Sequence, residues 1–219
     1  MTTVTHIAAL PGARVVIAPP PWPAVIVDFA LVGLAAFLLW RKYPRSAAIA
    51  IACGIACVIF APRTLPQQSA RITMLDAGQG DAILVQSARG RSILIDTGGR
   101  LERGLTADGN SPAEAIGERI VVPTLFRMGV TRLDAIILTH PHGEHAGGLA
   151  PILRTLSVGV ILDSGQVYGG RAYNDGISES RRKHVPIVIA RCGDRLSLDE
   201  IHLAILSPCT LATGGKNDE

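Results

Sequence analysis

The sequence predicts an α/β layered sandwich preceded by two membrane-spanning helices. Three observations carry this. Apolar residues pile up before residue 62, while most charges come after it. From residue 70 onward short apolar runs alternate with helical segments over about 150 residues, the pattern of sheets covered by helices. Half of the six histidines fall in one window that follows a buried strand.

The chain has 219 residues, 48% of them hydrophobic, and a mean hydropathy of +0.33. The net charge of +3 is too small to predict nucleic-acid binding by charge alone. The 4% aromatic content offers no base-stacking platform. Four cysteines form no C-x-x-C pair. Cys53, Cys57, Cys192 and Cys209 read as packing residues, with a Cys192–Cys209 disulfide open if that region faces an oxidising compartment.

Residues 24–40 hold one charge, Asp28, and residues 46–62 hold none. Both approach the length needed to cross a bilayer. Trp22 and Trp40 bracket the first run as interfacial aromatics would. The second has no polar face, unlike a surface helix. Arg41, Lys42 and Arg45 in the connecting loop place it in the cytoplasm by the positive-inside rule, and everything after residue 63 outside. Residues 1–69 then form a membrane region ending in a polar linker, Arg63 to Ser69, and 70–219 a second domain.

In that domain Ile72–Leu75, Ala82–Val85 and Ser92–Ile95 read as strands separated by Gly-rich breaks, with a hairpin turn at Arg89-Gly90. Ser111-Pro112-Ala113-Glu114 opens a helix with capping chemistry, and Pro123 breaks or kinks it. Leu133–Leu138 is a continuous apolar strand, Gly147–Leu156 a helix and Val158–Leu162 a strand. Tyr173–His184 reads as a helix, and Ile187–Ala190 and Ile201–Leu206 as strands.

The chemistry concentrates in Thr139-His140-Pro141-His142-Gly143-Glu144-His145-Ala146-Gly147-Gly148. Three histidines at i, i+2 and i+5, with a carboxylate beside the last, supply what Zn2+ takes; Mn2+ or Fe would also fit. Pro141 biases His140 toward an extended backbone, so the strand runs into the first ligand.

This window resembles the H-x-H-x-D-H motif of the metallo-β-lactamase fold. Asp76-Ala77-Gly78-Gln79-Gly80-Asp81, followed by Leu94-Ile95-Asp96-Thr97-Gly98-Gly99, resembles the opening of one branch, the C-terminal domain of ComEC-type competence proteins. With the two spans upstream, the resemblance covers almost the whole chain. It implies a metallo-β-lactamase-like αββα sandwich on the external side of the membrane, in a channel protein for DNA uptake. It assigns His140 and His142 to a first metal and Glu144 and His145 to a second, with one or two ions, Zn2+ or Mn2+. Glu144, Asp81 and Asp96 become the catalytic group, Asp96 by hydrogen bonding at its strand end and Asp81 with Gln79 near the mouth. Asp76, Asp81 and Asp96 also fit plain turn chemistry beside glycines.

The implied activity is phosphodiester hydrolysis of incoming DNA, with DNA, the membrane and the remaining channel segments as partners. A gating or DNA-binding domain without hydrolysis, and a membrane-anchored hydrolase of small molecules, are the other readings. Two departures stand out. Glu144 replaces the family's Asp, which predicts weaker occupancy of a second metal position. The bridging Asp and further His of the fold's second half have no counterpart here, and neither His184 nor His202 replaces them. That predicts a C-terminally incomplete site and an exposed sheet edge prone to aggregation.

Overall fold

The computed structural model describes residues 20–60, 69–101, 112–166, 170–207 and 209. Ser111, most of the expected linker and the C-terminal residues 210–219 lie outside them. The chain divides into two compact units, Met1–Leu65 and Pro66–Glu219.

The first unit is a helical hairpin of α1 (Trp22–Trp40) and α2 (Pro44–Phe60). Pro21 to Pro23 start α1, where a missing N–H costs nothing because the first N–H groups of a helix have no partner. Lys42 turns the chain in a left-handed conformation with φ 63°. The helices meet through small residues, Ala35, Ala47 and Ala50, with Leu38 against them. The carboxylate of Asp28 lies against Gly54. The large side chains point outward: Trp22, Phe29 and Trp40 are 70%, 72% and 75% exposed. Among the described residues only α1 is long and apolar enough to span a bilayer, and α2 is shorter. The expected pair of spans is thus matched by one helix of clear length and one at the lower limit of about 17 residues.

The second unit is built on a six-stranded sheet in chain order: β1 (Arg71–Met74), β2 (Ile83–Gln86), β3 (Ser92–Ile95), β4 (Arg132–Leu138), β5 (Ser157–Asp163) and β6 (Ile187–Ile189). The β1–β2 and β2–β3 pairs are antiparallel, and β3 through β6 are parallel. Gly90, at φ 83°, makes the tight β2–β3 turn. The parallel strands need crossovers, and helices supply them. These are α3 (Pro112–Ile116), α4 (Val122–Arg127), α5 (Gly143–Ala146), α6 (Leu149–Thr155) and α7 (Arg171–Arg182).

The helices cover one face of the sheet. Leu84, Leu94, Ile136, Leu138 and Ile161 pack there against Val121, Leu125, Leu149, Ile152 and Leu153. The other face, with Val85, Ile93, Ala135 and Ile137, receives a two-stranded hairpin, β7 (Arg195–Leu198) and β8 (Ile201–Ala204), through Leu198 and Ile201. Burial on both sides explains the apolar stretch Ala135–Leu138 of β4, while Asp134 before it accepts from Arg91 and the Ser92 N–H. The hairpin reaches only part of this face. On the edge strand β1, Ile72 and Met74 pair with Val85 and Ile83 and are 72% and 73% exposed. β1 therefore leaves one margin of the six-stranded sheet without a neighbouring strand among the described residues.

Three expectations need correction. Of the break or kink expected at Pro123, the break does not occur: the helical backbone runs on through it. A π turn, Gly117–Val121, joins α3 to α4, and the Val122 N–H donates to the Gly117 carbonyl. The widened turn carries the chain past a residue that cannot donate. The segment Arg195–Leu198 is a strand that the sequence reading left out. Cys192 and Cys209 are not buried packing residues: they are exposed and joined in a disulfide. They stand at the two feet of the β7–β8 hairpin, Cα atoms 4.5 Å apart, a proximity that their 17-residue separation conceals.

The hairpin's tip is also tied. The Ser87 hydroxyl donates to Asp199 at 2.8 Å, and the Ala88 N–H donates to Glu200 at 2.5 Å. Cutting the disulfide with Cys192→Ser should lower stability by about 3 kcal/mol, the chain-entropy value for a loop of this size. Amide exchange should then quicken in β7 and β8 before it does in β4. Equal exchange in the oxidised and serine forms would count against a tethering role.

Candidate metal centre

Four loops meet at the carboxyl ends of β3, β4 and β5, where open parallel sheets place their ligands. Three are held together by backbone contacts that leave no room for side chains. A Cβ at Gly80 would run into the Glu144 carbonyl, one at Gly99 into the Gly143 carbonyl, and one at Gly148 into the Thr97 carbonyl. The Thr97 N–H and hydroxyl both donate to the His145 carbonyl, at 2.7 and 2.8 Å. The Gly98 N–H donates to the Asp81 carbonyl at 2.8 Å, and the Gly148 N–H to the Gly98 carbonyl at 3.0 Å. The loop after β1, the turn after β3 and the histidine loop after β4 thus form one clasp.

His140 leaves β4 through Thr139, and Glu144 and His145 lie on α5, which His142 precedes in an extended conformation. The ligand atoms of His140, Glu144 and His145 all lie within 4.8 Å of one another. The His140 and His145 rings lie with centroids 3.8 Å apart at a 45° tilt, and His142 stands edge-on to His140 at 5.0 Å. His142 Nδ1 is 3.8 Å from Glu144 Oε1. His142 is therefore beside the cluster rather than within its tightest group.

Asp96 sits 3% exposed at the end of β3, in a left-handed conformation with φ 54°. Its carboxylate accepts from the Thr139 N–H at 2.8 Å and the Thr139 hydroxyl at 2.7 Å. It also meets His145 Nδ1 at 2.9 Å. With Nδ1 engaged, Nε2 of His145 is the nitrogen left to a ligand, the arrangement in which a carboxylate orients a metal-binding imidazole. Asp81 stands at the rim, its side chain 63% exposed and 4.0 Å from His145 Nδ1.

The electrostatics differ between His140 and His145. Burial and the neighbouring His145 and His142 hold His140 below its ordinary pKa, so it is neutral and able to donate a lone pair. Burial also acts to lower His145, but Asp96, Asp81 and Glu144 outweigh it and raise its pKa. Glu144 Oε2 is buried without a hydrogen-bond partner. A buried orphan carboxylate oxygen is costly. Facing two imidazoles, it is the acceptor-only atom that a cation would satisfy, so these residues fit a bound metal.

The fold and this cluster define the class of protein. The model of the metallo-beta-lactamase superfamily matches residues 75–205, and the chain belongs to that superfamily. Its curated relatives are competence proteins of the ComEC type. ComE operon protein 3 of Bacillus subtilis (strain 168) is 29% identical over 98% of this chain and 28% of its own length. Competence protein ComA of Neisseria gonorrhoeae is 31% identical over 52% of the chain and 14% of its own length. Recombination protein 2 of Haemophilus influenzae is 29% identical over 71% of the chain and 16% of its own length. The chain thus spans less than a third of each relative.

Proposed function

We propose that the second unit is a metal-dependent phosphodiester hydrolase acting on incoming DNA in a membrane protein for DNA uptake. The observation that supports this most is the convergence of His140, Glu144 and His145, with Asp96 fixing the His145 ring. His142 joins them as the fourth ligand, and Zn2+ is the preferred ion, with Mn2+ as the alternative. A bound metal in such a site lowers the pKa of water toward neutrality and offsets charge on a phosphoryl oxygen.

The chain's own residues do the rest. His140 and His145 offer ring nitrogens, Glu144 supplies negative charge and Asp96 keeps a proton of His145 on Nδ1. Asp81, at the rim, is placed to meet a proton or an attacking water. Residues 70–219 form the catalytic unit in this reading. Residues 1–69 are the membrane region, with α1 and α2 both crossing. The positive loop at Arg41, Lys42 and Arg45 then faces the cytoplasm and the metal centre faces outward. The Cys192–Cys209 disulfide suits that oxidising side.

The test is metal content and turnover together. The full chain should take up about one Zn2+ with the pH dependence of imidazole ligation. His145→Ala should abolish uptake and any hydrolysis of single-stranded DNA. Metal uptake and DNA binding without hydrolysis would favour a gating domain. Hydrolysis of a small phosphodiester but not of DNA would favour a small-molecule hydrolase. A chain that binds no metal would remove the hydrolase reading.

A further inference from the structure

Beside the histidine cluster, on the sheet face opposite the helices, lies a cavity of about 450 Å³. It opens at the carboxyl ends of the parallel strands, bounded by Ile95, Ile137, Thr139, Ser164, Gln166 and Ala190, with β8 and the residues after it closing the other side. Thr139 belongs to both places: it lines the cavity, and its hydroxyl donates to Asp96 and lies 3.2 Å from His140 Nδ1. The volume falls in the range of about 300–1,000 Å³ found for small-molecule clefts.

The turn after β5 presents two polar atoms, Ser164 Oγ and Gln166 Oε1, with no hydrogen-bond partner among the described residues. Ser164 is 5% exposed, and its hydroxyl is buried without a partner. Gln166 Oε1 is likewise buried and unpartnered. The turn that carries them is firmly built. Asp163, 1% exposed, accepts from the Gly165 N–H at 2.7 Å and from the Tyr173 hydroxyl at 2.9 Å. Burial and the adjacent Asp163 raise the Tyr173 pKa, so its proton stays in place. Unsatisfied buried groups in an otherwise ordered turn call for an explanation, and a ligand provides one.

We propose that this cavity seats one unpaired nucleoside unit joined to the phosphate that reacts at the histidine cluster, with Ser164 and Gln166 reading its base edge. The proposal rests on the phosphodiester reading above. No charged side chain lines the cavity among the described residues, so a phosphate itself is a poor occupant. Apolar walls with the hydroxyls of Thr139, Ser164 and Ser207 and the Gln166 carboxamide suit a neutral heterocycle that bears its own donors and acceptors. Such pockets read an extruded base by its hydrogen-bonding edge and pack its faces against apolar side chains. The shared Thr139 puts the seat next to the reacting centre. A single unpaired unit there selects a single strand over a duplex.

The experiment is calorimetric titration of the full chain in detergent with deoxycytidine 5′-monophosphate and, separately, with inorganic phosphate. It is run with and without added Zn2+. The nucleotide should bind about tenfold more tightly than phosphate, as one or two hydrogen bonds would give. Gln166→Leu and Ser164→Ala should each erase most of that preference and leave phosphate binding unchanged. Ser164→Ala removes a single oxygen and keeps the comparison valid if the Gln166 variant misfolds. Equal affinity for both ligands, or variants that weaken both alike, would overturn the proposal. Loss of Zn2+ uptake or DNA hydrolysis with the nucleotide preference intact would sink the hydrolase reading alone.

Discussion

Asp96→Asn should lower the metal affinity of the histidine cluster about 10- to 100-fold while the chain stays folded. The reasoning starts from the backbone. Asp96 holds φ 54°, a conformation that Asn adopts as readily as Asp. The substitution therefore adds no strain and no volume. It changes one acceptor oxygen into a donor. The remaining oxygen serves the Thr139 N–H, and the new amide nitrogen faces His145 Nδ1. Two donors cannot share that contact, so the imidazole moves its proton to Nε2, the nitrogen a metal needs bare. Competition against a graded series of chelators measures the loss. Thermal unfolding of the metal-free form separates it from misfolding. Unchanged affinity in a folded Asn variant would mean that Asp96 is turn chemistry and nothing more.

Gly148→Ala should be the more damaging change to the fold itself. Its backbone is ordinary, φ −80°, so any cost is steric. The added methyl would meet the Thr97 carbonyl, a backbone atom that cannot rotate away. Thr97 in turn holds the His145 carbonyl through two hydrogen bonds. Relief requires the turn after β3 to separate from the histidine loop. Overpacking of this kind costs about 3 kcal/mol, or about 10 °C in Tm for a domain of this size. Gly90→Ala is the control. It has nothing within 4 Å and carries only the left-handed backbone penalty of φ 83°, about 1–2 kcal/mol. If the Gly90 variant melts lower than the Gly148 variant, the clasp is looser than the structure shows.

Much of this was legible before any coordinates. Strands β1 to β6 fall within a residue or two of their apolar runs, because a half-buried or fully buried strand leaves a periodicity of two or an unbroken apolar stretch. The histidine window declared its chemistry by crowding three imidazoles and a carboxylate into six residues. What escaped detection depends on geometry that composition does not encode. The π turn at Gly117–Val121 is a way around Pro123 that depends on packing. Strand β7 alternates Leu196 and Leu198 with polar residues but is only four long. The Cys192–Cys209 disulfide could only stand open beside a packing role, because the β7–β8 hairpin must exist before its cysteines become neighbours. Asp96 was divided between two roles because its sequence context, Asp-Thr-Gly-Gly, suits a turn as well as a buried acceptor; its carboxylate accepts from Thr139 and meets His145. Ser164 and Gln166 carry no motif, and only their burial without partners singles them out.

The clasp has a consequence for timing. Among the described residues, those gathered at the histidine cluster lie between Leu75 and Asp163, and the sheet pairings beneath them run β1 to β5 in unbroken chain order. During synthesis from the amino terminus, this part of the scaffold has emerged once β5 is out, while the β7–β8 hairpin and its disulfide are still to come. An ion bound at that stage would precede closure of the opposite face and favour the folded half over its unfolded alternatives. The chain order of the sheet thus makes the centre an early event in the life of the molecule.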